Sequence, residues 1–236
     1  MRARIFLMVI IALTLSAARP QTFRAQQGPV QKPSVNLGEF VRELMGMQMD
    51  ENRMQLVILL PHDFFVAATA SQTGKTAAAV EQDLAFLKPF LTVAVQNSTE
   101  GADGRSSYLS ESEVRARAVL KLADGSEIRP LTSVPPKVAA TMAAMKTLIA
   151  AEGDAGSANM HLLVFPSKAG SGASIIETKQ KDKLTLVLKA AGNFKETSFV
   201  WRTPFDAATS VPDCPRCRAA MSSKWSYCPY DGQKLP

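Results

Sequence analysis

The chain has 236 residues, 46% of them apolar and 20% charged, which is enough hydrophobic material for a packed core and excludes a wholly disordered protein. Its formal charge of +6 falls to about +4 once Arg2 and Arg4 at the extreme N-terminus are set aside. No cluster of Lys and Arg interleaved with aromatic residues occurs, so nucleic acid is excluded as a partner on the footprint such a face requires.

The chain opens with the pattern of an export signal. Arg2 and Arg4 charge the start, Ile5 to Leu15 is apolar apart from Thr14, and Ser16-Ala17-Ala18 offers small side chains for cleavage. This run is roughly eleven residues, short of the roughly 20 that span a bilayer as a helix. Residues 1–18 are therefore expected to be a signal peptide, or an anchor where they are retained. Either way the positive end stays inside and the remainder is exported, to the periplasm or the extracellular space. A membrane is a partner only in the anchored form. Residues 19–35, rich in Gln and Pro and poor in large apolar groups, read as a disordered linker.

A β-rich mixed domain is expected over 36–205. Asn36 followed by Glu39 forms a capping-box-like start, and Leu37, Phe40, Val41 and Leu44 line one side of a helix reaching Met47. The apolar runs Met54–Leu60 and Phe64–Ala68, split by Pro61-His62-Asp63, read as two strands. Ala77, Val80, Leu84 and Leu87 recur at helical spacing until Pro89. From Phe90 the period becomes two: Leu91, Val93 and Val95 alternate with smaller neighbours, as do Ala116, Ala118, Leu120 and Leu122 over Val114–Leu122. Asp124-Gly125 marks a hairpin returning through Ile128 and Leu131. Pro135-Pro136 opens a helix with a stripe of Val138, Met142, Met145 and Ile149 and a stop at Gly153. Strands follow at Met160–Phe165, Leu184–Leu188 and Thr197–Trp201. About eight strands with short turns and two or three helices predict an α+β, β-rich fold, an antiparallel sandwich of which the immunoglobulin-like form is one version. The alternation predicts one buried and one wet face per sheet.

All three cysteines fall at the C-terminus: Cys214-Pro-Arg-Cys217, ten residues, then Cys228-Pro-Tyr-Asp231-Gly232. A C-x-x-C turn supplies two ligands from one knuckle, and Cys228-x-x-Asp231 repeats the spacing, so Cys214, Cys217, Cys228 and Asp231 are the candidate ligands of one tetrahedral zinc ion. Three thiolates and a carboxylate around Zn²⁺ leave a charge of about −2. Arg216, Arg218, Lys224 and Lys234 stand nearby in sequence to offset it. A disulfide with one odd thiol is the alternative in an exported chain. Redox chemistry of the Cys-Pro-x-Cys kind fails on length, because too little chain follows Cys217 for a thioredoxin-like fold.

Residues 212–236 resemble the C-terminal zinc-ribbon family, whose knuckles read C-P-x-C and, after an aromatic, C-P-x-C-G followed by Leu. Here the matching residues are Cys214-Pro215-Arg216-Cys217 and Tyr227-Cys228-Pro229-Tyr230-Asp231-Gly232, with Leu235 in the expected place. The segment departs at Asp231, where the family has Cys, and in lacking Gly after Cys217. The resemblance implies a small structural or interaction module with no chemistry at the metal. Trp225 and Tyr227 are expected to cover its apolar face.

No other motif defines a site. Thr69-Ala-Ser-Gln-Thr-Gly74-Lys75-Thr76 has the setting of a phosphate loop but Thr where its first Gly belongs, and reads as a polar loop capping a helix. His62 beside Asp63 and His161 have no Gly-x-Ser-x-Gly or His-Glu-x-x-His context, so no catalytic residue is assigned. Met45, Met47, Met49 and Met54 read as helix-packing residues rather than copper(I) ligands. The expectation is an exported, non-enzymatic protein with a structural zinc ribbon used for stability or for docking a protein partner. The alternative is an exported enzyme or small-molecule binder with its site in the middle domain, to which His62 and Asp63 contribute.

Overall fold

The computed structural model describes residues 37–122, 124–152, 156–209, 213–219, 221–222 and 224–235. The expected signal peptide, the linker, Asn36 and the Gly153 stop lie outside these residues.

The fold is α+β, with two antiparallel sheets. The first helix, α1 (Leu37–Leu44), buries Leu37, Phe40, Val41 and Leu44, the stripe read from the sequence. It stops at Leu44 rather than Met47, and the chain turns at once into β1 (Met45–Asp50), which pairs with β2 (Arg53–Leu60). Gly46, a poor helix former, is the second residue of the new strand. A Cβ there would lie 2.7 Å from Cδ1 of Phe199 in the opposite sheet and 3.0 Å from Cγ2 of Val57, so Gly46 lets the two sheets approach. Met45, Met47 and Met49 accordingly line a strand. Met47 and Met49 face solvent and pair across the ladder with Leu56 and Met54.

Phe64–Ala68, expected as a strand, lies inside α2 (His62–Thr73). Its apolar run is too short for periodicity to separate helix from strand. Pro61 decides the matter by presenting its carbonyl to the amides of Phe64 and Phe65, after which Ala67, Ala68 and Ala70 favour the helix. Helix α3 (Ala77–Asp83) follows, capped by Thr76, whose Oγ1 accepts the Ala79 amide. A 3₁₀ turn, Ala85–Leu87, then leads to β3 (Phe90–Glu100).

Strand β3 is the centre of the first sheet. One edge pairs with β2. The other is shared by β7 (His161–Pro166), along Phe90–Val95, and β4 (Ser106–Tyr108), along Ser98–Glu100. Val114–Arg117, expected as strand, forms helix α4 (Glu111–Arg117). A capping box overrides its alternation: Ser110 Oγ accepts the Glu113 amide, and the Ser110 amide donates to Glu113 Oε2 at 2.7 Å. Only then does β5 (Ala118–Lys121) begin, turning through Asp124-Gly125 into β6 (Glu127–Ile128); Leu131, expected on the same returning strand, instead donates its amide to Val164 O of β7. Helix α5 (Pro136–Glu152) carries the predicted stripe. The second sheet has the order β6-β5-β8-β9, with β8 (Asp182–Leu188) and β9 (Thr197–Thr203).

The two sheets and the helices share one core, and the layering explains why single-face alternation holds only in part. Strand β9 alternates strictly, with Thr197, Phe199, Trp201 and Thr203 buried. In β2 and β3 both faces are buried. Val57 lies on the face turned to Phe199 in the second sheet, while Ile58, Leu60 and Ala94 face the helices. Trp201 joins the layers by donating its indole N–H to Leu44 O at 2.8 Å. Five α-helices rather than two or three occur among the described residues, because two expected strands are helical.

Candidate metal centre

Each cysteine knuckle is a short backbone loop closed by the same two hydrogen bonds. In the first, Arg218 N–H donates to Cys214 O and Cys214 N–H to Ala219 O. In the second, Gly232 N–H donates to Cys228 O and Cys228 N–H to Gln233 O. Both loops turn through a left-handed residue, Arg218 at φ 58° and Gly232 at φ 70°. The missing glycine of the first knuckle is thus replaced by an arginine in the glycine conformation.

These loops bring all four sequence-predicted ligands together. One donor atom from each of Cys214, Cys217, Cys228 and Asp231 lies within 4.8 Å of the other three. Cys217 Sγ is 3.7 Å from Cys228 Sγ, and Cys214 Sγ is 3.6 Å from Asp231 Oδ2. All three cysteines are free thiols, and the 3.7 Å sulfur separation is far beyond a disulfide bond of about 2.05 Å. Cys214 and Cys228 are buried, while Cys217 is exposed.

Two of the four donors, Asp231 and Cys214, are shifted toward their charged forms, and Cys228 is shifted away from its own. The Gln233 amide, donating to Oδ1 at 2.9 Å, and then the Cys228 thiol hold the Asp231 carboxyl below its ordinary value, so it is charged at neutral pH. Burial pushes Cys214 upward, but the amides of Cys217 and Arg216 and the neighbouring thiols outweigh it, and the net shift is downward. Cys228 is pushed up to about 11 by burial and by donating to Asp231. Four convergent donors of this kind can hold one metal ion, and they leave no coordination position for a substrate.

A small apolar cluster of its own supports the module. Met221 and Leu235 are buried against Cys214 and Cys228, with Ala219 at the edge. Trp225 and Tyr227, expected to cover this face, are instead 47% and 61% exposed. Met221 does their work. Its signal in the sequence was being the one long aliphatic side chain between the knuckles. Lys224 does not offset the charge of the cluster. It pairs with Glu43 Oε1 at 2.7 Å, and Glu43 also accepts the amides of Asp206 and Ala207, tying the module to α1 and the 3₁₀ turn Asp206–Ala208.

The remaining sequence candidates do not assemble a reactive centre. His62 donates through Nε2 to Leu84 O, and Asp63 accepts from Thr178 and lies 3.9 Å from Lys179, although both border a polar cleft of about 400 Å³. Among the described residues neither a hydroxyl nor a thiol is hydrogen-bonded to His62. His161 is buried, with Nε2 on Leu109 O. Thr69–Thr73 are helical, and Gly74 closes that helix in the left-handed conformation, so the phosphate-loop pattern is a pair of helix caps.

No family model matches the chain, and no curated protein matches it. Among solved structures, a DUF4426 family protein from Pseudomonas aeruginosa PAO1 is similar at 13% identity and a TM-score of 0.31, covering 68% of this chain and 94% of that one. A likeness of that size carries no functional information.

Proposed function

We propose that the C-terminal segment is a structural zinc ribbon and that the protein is an exported, non-enzymatic one which uses this module for stability or for docking a protein partner. The observation that carries the reading is the convergence of Cys214, Cys217, Cys228 and Asp231. Bonds of about 2.3 Å to sulfur and about 2.0 Å to oxygen, arranged tetrahedrally, separate neighbouring ligands by roughly 3.5 to 3.8 Å. The separations of 3.7 Å and 3.6 Å between the closest donors fall in that range. Three thiolates with a carboxylate suit zinc better than a hard cation such as magnesium or calcium. A segment with so small an apolar cluster depends on the metal for its folding.

Exposed aromatic side chains favour the docking role: Trp225, Tyr227 and Tyr230 all face solvent, and such residues dominate interface energetics. Export rests on the charged, apolar and small-residue pattern of residues 1–18.

Chelation tests the structural role. Removing metal should collapse the ribbon, read by Trp225 fluorescence, while the far-UV dichroism of the sheets persists. An unchanged fluorescence would contradict it. N-terminal sequencing of protein recovered outside the cytoplasm should begin just after Ala18, and an intact Met1 would remove the cleaved signal.

A further inference from the structure

The outer face of the first sheet is not fully covered by its helices. A cavity of about 300 Å³ lies there. Ile58, Leu60 and Ala94 form its floor, and Phe64, Met145 and Ile149 are among the side chains of its walls. Helix α5 is held at both ends and spans this space. Near its start Thr92 Oγ1 contacts Met142 Sδ and Lys137 Nζ lies over the Phe86 ring at 4.0 Å. Beyond its end Gln96 Nε2 donates to Gly156 O at 3.0 Å. Phe64, Phe65, Met145 and Ile149 are only half-buried, and Leu148 is 51% exposed at the rim.

Among the described residues, no Asp, Glu, Lys, Arg or His lines the cavity. Its polar side chains are Thr69, Gln72, Thr141 and Ser157, and Gln72 lies at the surface. A dry apolar void of about 150 Å³ already admits benzene, and this one has about twice that volume, at the lower edge of ordinary ligand pockets. We propose that this cavity binds a single, uncharged aliphatic chain of medium length, about eight to twelve carbons, with its polar end at the Thr69 and Gln72 mouth. A charged body would lose its hydration against this lining without gaining a partner.

The site is independent of the metal centre. Its test is displacement of the uncharged fluorophore N-phenyl-1-naphthylamine from the full chain by straight-chain 1-alkanols of increasing length. Affinity should rise about fourfold per methylene and then level off near ten carbons. Ala144→Phe, at an exposed helical position on the cavity wall, should weaken decanol binding at least tenfold with an unchanged dichroism spectrum. Ala143→Phe, which points to a different surface, should not alter it. Chelation should leave the series unchanged, so a failed zinc reading does not touch this one. Four results would overturn the proposal: no displacement by any alkanol; equal binding by Ala144→Phe; binding that appears only when residues 1–18 are removed, which makes the chain's own apolar segment the occupant; or loss of binding on dimerisation, which makes a second copy the occupant.

Discussion

Arg218 and Gly232 occupy equivalent positions in two successive knuckles, each in the left-handed backbone conformation and each donating its amide to the carbonyl of the first cysteine of its loop. Glycine enters that region freely, whereas a residue with a Cβ is strained there by roughly 1–2 kcal/mol. Part of the gain from a glycine is offset by its greater freedom in the unfolded chain, about 0.4–1 kcal/mol. Arg218→Gly should therefore stabilise the module by up to about 1.6 kcal/mol and tighten metal binding by no more than about fifteenfold. Arg218→Val should do the reverse. Competition against a chelator of known affinity measures both.

Glu43 is the acceptor that joins the ribbon to the main body. It takes the amides of Asp206 and Ala207 and the ammonium of Lys224 while only 18% exposed. Glu43→Gln should cost about 1–2 kcal/mol in urea denaturation, since hydrogen bonds to a charged group are the stronger kind. Lys224→Met, which removes the more exposed partner, should cost less than about 1 kcal/mol. A double-mutant cycle isolates the pair.

Gly46 and Phe199 limit how closely the sheets can pack. A methyl group at Gly46 would fall 2.7 Å from the ring, and a ring cannot move aside as a flexible chain end can. Gly46→Ala should lower stability by about 1–3 kcal/mol. Combining it with Phe199→Leu should recover part of that loss. A thermal melt of each variant decides.

The carboxyl of Glu111 is held below its usual value chiefly by the hydrogen bond from Arg115, 2.9 Å away, against the opposing effect of burial. A depressed folded value stabilises the protein above the unfolded value, near 4.5, and the contribution disappears as pH falls through the folded one. Wild type should exceed Glu111→Gln by a few tenths of a kcal/mol at pH 7, the size expected of a solvent-screened pair, and the two should converge in strong acid. Urea titrations at a series of pH values give the difference directly.

Much of this architecture is legible from local pattern. The α1 and α5 stripes, the Asp124-Gly125 hairpin and strands β3, β7, β8 and β9 follow from period and turn chemistry alone. Two segments are not legible because a cap overrules an apolar run: Pro61 for Phe64–Ala68 and the Ser110–Glu113 box for Val114–Arg117. The turn into β1 at Met45 and the short strand β4 carry no periodic pattern of their own. The four metal-ligand candidates were visible because their spacing is local. The Glu43–Lys224 link and the apolar cavity depend on contacts between distant segments, which no short window contains.

The central claim is that three thiolates and one carboxylate share a single zinc ion. Elemental analysis of the purified full chain, with Cys228→Ser and Asp231→Ala beside it, addresses this most directly. The account predicts about one zinc per chain in the wild type, none retained by Cys228→Ser, and a weakened, readily chelated ion in Asp231→Ala. A metal-free wild type, or a zinc content indifferent to Cys228→Ser, would contradict it.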